Sequence, residues 1–332
     1  MTAQANFVTV RNGHCRIAHH NTGAYEIMEV SALGPHVTGR FLDAWQELDP
    51  SDQWNDERCS EGGLLVDYDA KVLIVFTIYR SRAMRAAYLA SMPRVWPGWE
   101  IRWAYNGVAD LIAHVGGDVA GWRTPRGGPE QLYSEARPEG STAPQYLVTV
   151  GTSTAYGLWD CTVDPWWAGP DLLSSLCDDD RVEGTFSAPT AGIHLDPDRR
   201  VAGIWTTGCP LYGIADAWPE LWPGWTLELW GDDYSSQLRA CPRVSFTDVD
   251  LDRGTASLVE HVTATWAFYV VEDFAANCAE TFGGKPQLLA VQREMGWFRT
   301  LERSGVTRID MSTALKAIIG PGSRTLPVPP GL

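Results

Sequence analysis

The chain has 332 residues, a formal net charge of −15 and a pI near 4.8, with 45% hydrophobic and 20% charged residues. That length suits about two domains of roughly 100–200 residues each, with cores large enough to need no disulfides. The charge argues against nucleic-acid binding or an anionic membrane surface and favours a cationic partner.

The 16 tryptophans are unusual. Such large apolar side chains either fill cores or form an exposed recognition patch. The seven cysteines (15, 59, 161, 177, 209, 241 and 278) are odd in number and never spaced as CxxC. That pattern fits the reduced thiols of a cytoplasmic protein. No basic start followed by an apolar run opens the chain, and no stretch reaches 18 apolar residues. Neither a secretory signal nor a membrane span is expected.

Along the chain, the first polar cluster is His14, Cys15, His19 and His20. Imidazole and thiolate are zinc ligands. An extended strand from residue 14 to residue 20 nevertheless places its ends too far apart to share one metal without a turn. A hairpin or edge strand carrying surface histidines is the competing reading, and no metal is favoured. An extended run at 25–30 predicts a leading strand.

The main signal is an internal duplication. Pro93-Arg-Val-Trp-Pro-Gly-Trp99 returns as Pro219-Glu-Leu-Trp-Pro-Gly-Trp225. Upstream, Gly63-Leu-Leu-Val-Asp-Tyr-Asp-Ala-Lys-Val72 aligns without gaps to Gly192-Ile-His-Leu-Asp-Pro-Asp-Arg-Arg-Val201, and the register continues to Phe76 opposite Trp205. Each block reads as strand, Asp-x-Asp tip, strand. The tip carboxylates suit turn geometry, because they bond nearby amides. As calcium or magnesium ligands they lack the glycine and distal glutamate of a calcium loop.

A helical stripe follows each hairpin: Met84, Tyr88, Met92 and Val95 in the first copy, Leu211, Ile214, Trp218 and Leu221 in the second. Pro93 and Pro219 are expected to limit these helices. Pro-Gly then makes a tight turn into an alternating strand, at Trp99, Ile101 and Trp103 and at Trp225, Leu227 and Leu229. Short helices at 108–114 and 234–240 complete the unit. The four tryptophans of the repeated segments read as packing residues, so function is sought where the copies differ.

The segment 121–143, rich in Gly, Pro, Ser and charge, reads as a linker. A leading strand is expected at 146–150. After it, Leu158-Trp-Asp-Cys-Thr-Val-Asp-Pro-Trp-Trp167 falls outside the aligned blocks. Trp159, Asp160, Asp164, Trp166 and Trp167 form a candidate aromatic binding surface, the alternative being that they cap the second core. Asp178-Asp179-Asp180 reads as a solvated loop. His194, opposite Leu65 of the first copy, is the other candidate, either functional or an exposed strand histidine.

A third echo, Phe246-Thr-Asp-Val-Asp-Leu-Asp-Arg-Gly254, is either a degenerate third hairpin or a coincidence. A short helix at 311–319 is introduced by Asp310 as N-cap, and the proline-rich tail is irregular.

The expected organisation is a first repeat domain at 1–120, a linker at 121–143, a second repeat domain at 144–242, a C-terminal α+β extension at 243–320 and a tail at 321–332. The fold class is α+β: a tandem pseudo-twofold duplication of a β-hairpin–helix–strand unit, with helices packed on antiparallel sheets.

No GxGxxG, phosphate loop, HExxH or GxSxG is present, so no cofactor is expected and no reaction is indicated. Two functions fit. One is a non-catalytic binding protein, such as an acidic inhibitor or immunity-type partner of a basic protein. The other is a small-molecule enzyme or ligand-binding protein with its site in the cleft between the repeats.

Overall fold

The computed structural model describes residues 3–45, 49–51, 54–55, 60–119, 131–132, 134–135, 138, 143–208, 210–267 and 304–321. The expected linker at 121–143 and tail at 321–332 fall largely outside the described residues, as do Cys59, Cys209 and Cys278. The chain divides into two compact units, one formed by Met1–Asp118 with Asp250–Leu332 and the other by Val119–Val249. No helix among the described residues is long and apolar enough to cross a membrane.

In the first unit the strands are β1 (Ala5–Arg11), β2 (His14–His20), β3 (Asp49–Ser51), β4 (Gly62–Asp67), β5 (Val72–Thr77) and β6 (Glu100–Trp103). Helices α1 (Ile27–Ser31), α2 (Gly34–Ala44), α3 (Arg82–Val95) and α4 (Val108–His114) lie between or after them. The sheet order is β3-β2-β1-β4-β5-β6.

The second unit repeats the plan with β7 (Tyr146–Val150), β8 (Thr154–Leu158), α5 (Leu172–Ser175), β9 (Gly184–Ser187), β10 (Ala191–Asp196), β11 (Val201–Thr206), α6 (Ile214–Leu221), β12 (Thr226–Leu229) and α7 (Ser235–Ala240). Its sheet order is β12-β11-β10-β7-β8. A separate parallel pair joins β9 to β13 (Val244–Thr247). Two further helices, α8 (Leu251–Ala267) and α9 (Arg308–Ile319), pack on α3 in the first unit.

The class is α+β and the duplication extends to hydrogen-bond register. Val72 pairs with Glu100, and Val201 with Thr226 at the equivalent place. Lys71 and Arg200, the last residues of the two hairpin tips, are both left-handed at φ 55° and 51°. The sheets are mixed. Hairpins β1–β2, β4–β5, β7–β8 and β10–β11 are antiparallel. The joins β1–β4, β5–β6, β7–β10 and β11–β12 are parallel. Parallel neighbours need a crossover, and the intervening helical segments supply it.

Several sequence expectations change. The run at 25–30 is not a strand: a 3₁₀ turn at Gly23–Tyr25 leads into α1, where all five residues are buried and no amphipathic period survives to distinguish helix from strand. The leading element is instead a hairpin, β1–β2, matched by β7–β8. Pro93 and Pro219 do not end their helices. Each lies within the last turn, and bonding resumes beyond it from Trp96 N–H to Met92 O and from Trp222 N–H to Trp218 O, both 2.7 Å. The missing proline amide therefore removes one bond rather than the turn.

The third hairpin is absent. Asp250 accepts the Arg253 amide at 2.8 Å, and the chain continues as helix α8. Asp310 is not the N-cap of α9. Thr307 is, in a reciprocal capping box: its hydroxyl accepts the Asp310 amide at 3.2 Å and Asp310 accepts the Thr307 amide at 3.0 Å.

Each sheet has two covered faces. In the first unit Leu64, Val66, Leu73 and Val75 join α1, α3, α8 and α9 in the main core. The alternate residues of β4 and β5, Leu65, Ile74 and Phe76, point to the opposite face, where α4 lies. A buried ion pair ties the main core together. Arg80 reaches Glu29 at 2.5 Å and also donates to the Tyr25 carbonyl, while the Trp266 indole donates to the Glu29 carbonyl at 3.0 Å. Burial pushes the Glu29 carboxyl up against the opposing pull of Arg80.

Candidate functional site

The aromatic loop and His194 belong to one unit but to opposite faces of its sheet. Ile193 and Leu195 share a core cluster with Trp166 and Trp167, so the intervening His194 must point the other way.

Trp166 and Trp167 are fully buried and Trp159 nearly so, while Asp160 is exposed. Asp164 opens the 3₁₀ turn Pro165–Asp171: its carbonyl accepts the Trp167 amide at 3.0 Å, and its carboxylate accepts the Tyr146 hydroxyl. The Trp166 carbonyl accepts the Trp222 indole N–H at 2.8 Å. Burial pushes the Cys161 thiol in the same loop up to about 12.

On β2, His14 and Cys15 are exposed at one end while His19 and His20 are half-buried at the other. His14 pairs with Arg11 and His20 with Ala5, at opposite ends of the hairpin. The His20 ring packs on Trp45, with centroids 4.6 Å apart. Among the described residues no three His, Cys, Asp or Glu side chains are grouped closely enough to hold a metal ion. The tip carboxylates bond amides: Asp67 takes those of Asp69 and Ala70, and Asp69 takes those of Asn12 and Gly13 in the neighbouring hairpin turn.

His194 is the end of a buried hydrogen-bond network. The Trp205 indole donates to Gln237 Oε1, and Gln237 Nε2 donates to Thr149 Oγ1 at 3.0 Å. Gln237 Nε2 also faces the Leu147 and Ile193 carbonyls, at 3.1 and 2.9 Å, and Thr149 Oγ1 meets His194 Nδ1 at 2.9 Å. All four side chains are buried. Burial lowers the His194 pKa, against the pull of Asp196 and Glu228.

The same four positions in the first unit are apolar. Leu65 stands for His194, Phe76 for Trp205, Leu111 for Gln237, and Val8, which pairs with Leu65 as Thr149 pairs with His194, for Thr149. The copies therefore diverge as a set, on one face, by exchanging a greasy cluster for a satisfied polar one.

A second divergence lies beside the first. Trp230 donates its amide to the Ile204 carbonyl at 2.8 Å, and Ala104 donates to Val75 at 2.9 Å, so the two residues are equivalent. The Trp230 ring lies over Gly203, where a Cβ would sit 1.9 Å from it, and stacks on His194. Its indole donates to Glu228 at 3.1 Å. In the first unit Ala104 and Ile74 stand where the second unit has Trp230 and Gly203, and Ile74 lines a hollow of about 400 Å³.

Ile74, Arg102, Trp103, Asp110, Ala113 and His114 line that hollow. Its polar walls are braced. Arg102 grips Glu100 at 2.7 and 2.8 Å, His114 Nε2 meets Asp67 at 2.9 Å, and Asp110 accepts the backbone and side-chain N–H groups of Asn106, each at 2.9 Å. Burial pushes the Asp67 carboxyl up, but the Ala70 amide, His114 and the Asp69 amide together hold it below its ordinary value. Sequence reading placed His114 only on a helix. The offset of 126 residues that aligns Trp99 with Trp225 also aligns Ala104 with Trp230 and Leu111 with Gln237, a signal available without the structure.

Comparison with protein-family models, with curated proteins and with solved structures finds no match for this chain.

Proposed function

We propose that the protein is a non-catalytic binding protein that captures a basic protein partner through its second unit. The observation that carries this reading is the partition of charge. Residues 119–249 hold 18 acidic against 8 basic side chains, and the rest of the chain holds 23 against 18. Two thirds of the net charge thus falls on the smaller unit, and a field of one sign accelerates encounter with a cationic partner.

The edge strand β12 gives that field a place to act. It is the last strand of its sheet and exposes Glu228 and Leu229 beside Trp230, with Asp232 and Asp233 in the following turn. An apolar centre with an acidic rim is the anatomy of a modest protein interface. An inhibitor or immunity-type role, in which the partner is a basic toxin or enzyme, fits that chemistry.

Capture of proteins from a lysate of the source organism at about 50 mM and about 500 mM salt tests the reading. A basic protein retained at low salt, released at high salt and lost from the Glu228→Lys/Asp232→Lys variant supports it. Absence of any protein partner at low salt, or retention unaffected by charge reversal, overturns it.

A further inference from the structure

We propose that the hollow on the first unit is a binding site for an uncharged planar aromatic ring of indole size. The second unit carries its own occupant at this place, the Trp230 ring, which lies over Gly203 and bonds Glu228 of β12. The first unit has the same sheet and the same following helix but Ala104 where the indole is rooted. Ile74 fills the level of the sheet that Gly203 leaves bare, and the space above it stays open to about 400 Å³, within the size range of small-ligand sites.

The walls favour a ring rather than an alkyl chain or an ion. Ile74 and Ala113 give apolar contact, and the Arg102 guanidinium, fixed in place by Glu100, presents a cation to a π-face. At the position of Arg102 the second unit has Glu228, which accepts the Trp230 indole N–H; in the first unit the carboxylate on the wall is Asp110, with Asp67 behind His114. Glu100, Asp110 and Asp67 repel an anionic ring, and Arg102 repels a cationic one. The braced pairs mean that little side-chain ordering accompanies binding.

A free small aromatic molecule and a tryptophan side chain presented by another protein share this chemistry. Two probes separate them: indole, and a short uncharged peptide containing one tryptophan. Binding is read by saturation-transfer NMR on the probe and by the shift of the His114 ring protons. Two filled variants serve as controls. Ile74→Gly/Ala104→Trp copies the second unit, and Ala113→Tyr fills the hollow from an exposed helix position that leaves the core untouched. Circular dichroism checks that each is folded.

Binding of at least one probe to the wild-type protein, with a His114 shift, and at least about tenfold weaker in a folded filled variant, supports the site. Tighter binding of the peptide assigns the ring to a protein partner, and tighter binding of indole assigns it to a small molecule. No binding of either probe, or equal binding to the wild type and the filled variants, overturns it.

Discussion

The Trp96 indole donates to the Ser31 carbonyl at 2.7 Å, and the Trp222 indole donates to the Trp166 carbonyl at 2.8 Å. In each unit the first tryptophan of Trp-Pro-Gly-Trp therefore pins the helical segment after the leading hairpin. The second tryptophan meets it edge-on, at 4.8 Å in one copy and 5.2 Å in the other. Gly98 and Gly224 make the joint possible, at φ 79° and 77°. Both donor tryptophans are fully buried.

Replacing either one with phenylalanine keeps most of the apolar area but leaves a buried carbonyl without its donor. The expected loss is about 1–3 kcal/mol. Truncation to alanine adds a cavity and raises the loss to about 3–5 kcal/mol. Urea unfolding of Trp96→Phe, Trp222→Phe and the alanine pair checks the order. Equal stability of a phenylalanine variant and the wild type would remove the pin.

The exchange of the polar cluster for the apolar one makes a prediction about pH. Burial holds His194 neutral, so its folded pKa lies below the unfolded value of about 6.5. As pH falls through about 6.5 the unfolded chain takes up a proton that the folded chain refuses, and stability declines until pH reaches the folded pKa. Above about 6.5 this contribution is fully present. His194→Leu removes the slope but strands the Thr149 hydroxyl, at about 1–3 kcal/mol. The fourfold change His194→Leu/Thr149→Val/Gln237→Leu/Trp205→Phe copies the first unit and should recover much of that loss. Unfolding curves at pH 5 and pH 7.5 test both statements, and a wild-type slope equal to that of the fourfold variant would refute the first.

What the sequence revealed and concealed follows from range. The landmark segment, the aligned hairpins and the alternating strands are local patterns, and they were legible. The parallel joins β1–β4 and β7–β10 are not, because nothing local distinguishes a strand that pairs with its neighbour from one that pairs across a helix. Strand β2 was legible only as the alternative to a metal site, a hairpin or edge strand, because its polar face leaves His14, Cys15 and Arg16 exposed. Helix α1 was hidden by the reverse, complete burial. At the candidate site, His194 stood out against Leu65. The His114–Asp67 pair did not, being 47 residues apart with no periodic link. The loop at 159–167 shows the limit of composition: three tryptophans on a proline-containing segment look like a surface, yet all three are buried.

The Arg80–Glu29 pair supports a third prediction. Glu29 has no exposure, so Arg80→Met leaves a buried carboxylate without its partner and should lower stability by about 3–5 kcal/mol. Burial already raises the Glu29 pKa in the wild type, and losing Arg80 raises it further. The folded variant then holds a proton that the unfolded chain releases, so its stability declines as pH rises through the raised value. Relative to the wild type, the variant is expected to be hit harder at pH 8 than at pH 4.5. The double change Arg80→Met/Glu29→Met should recover stability and lose the pH effect. Thermal unfolding at the two pH values reads this, and a single variant as stable as the wild type at pH 8 contradicts it.

Trp230→Ala tests whether the two units share a ring site. The ring lies on Gly203 and against His194, so its removal opens a hollow over a bare stretch of β11. The loss is expected to be about 3 kcal/mol. If this place is built for a planar ring, added indole should bind the variant and restore stability in proportion to ln(1 + [L]/Kd). The melting temperature of Trp230→Ala would then climb with indole more steeply than that of the wild type, which offers only the first-unit hollow. Cyclohexane is the discriminating control: it fills apolar volume without a π-system or a donor, and in the second unit Glu228 awaits an N–H. Rescue by indole and not by cyclohexane marks ring recognition. Equal rescue by both reduces the site to a greasy cavity, and with it the argument that the first-unit hollow selects an aromatic ligand.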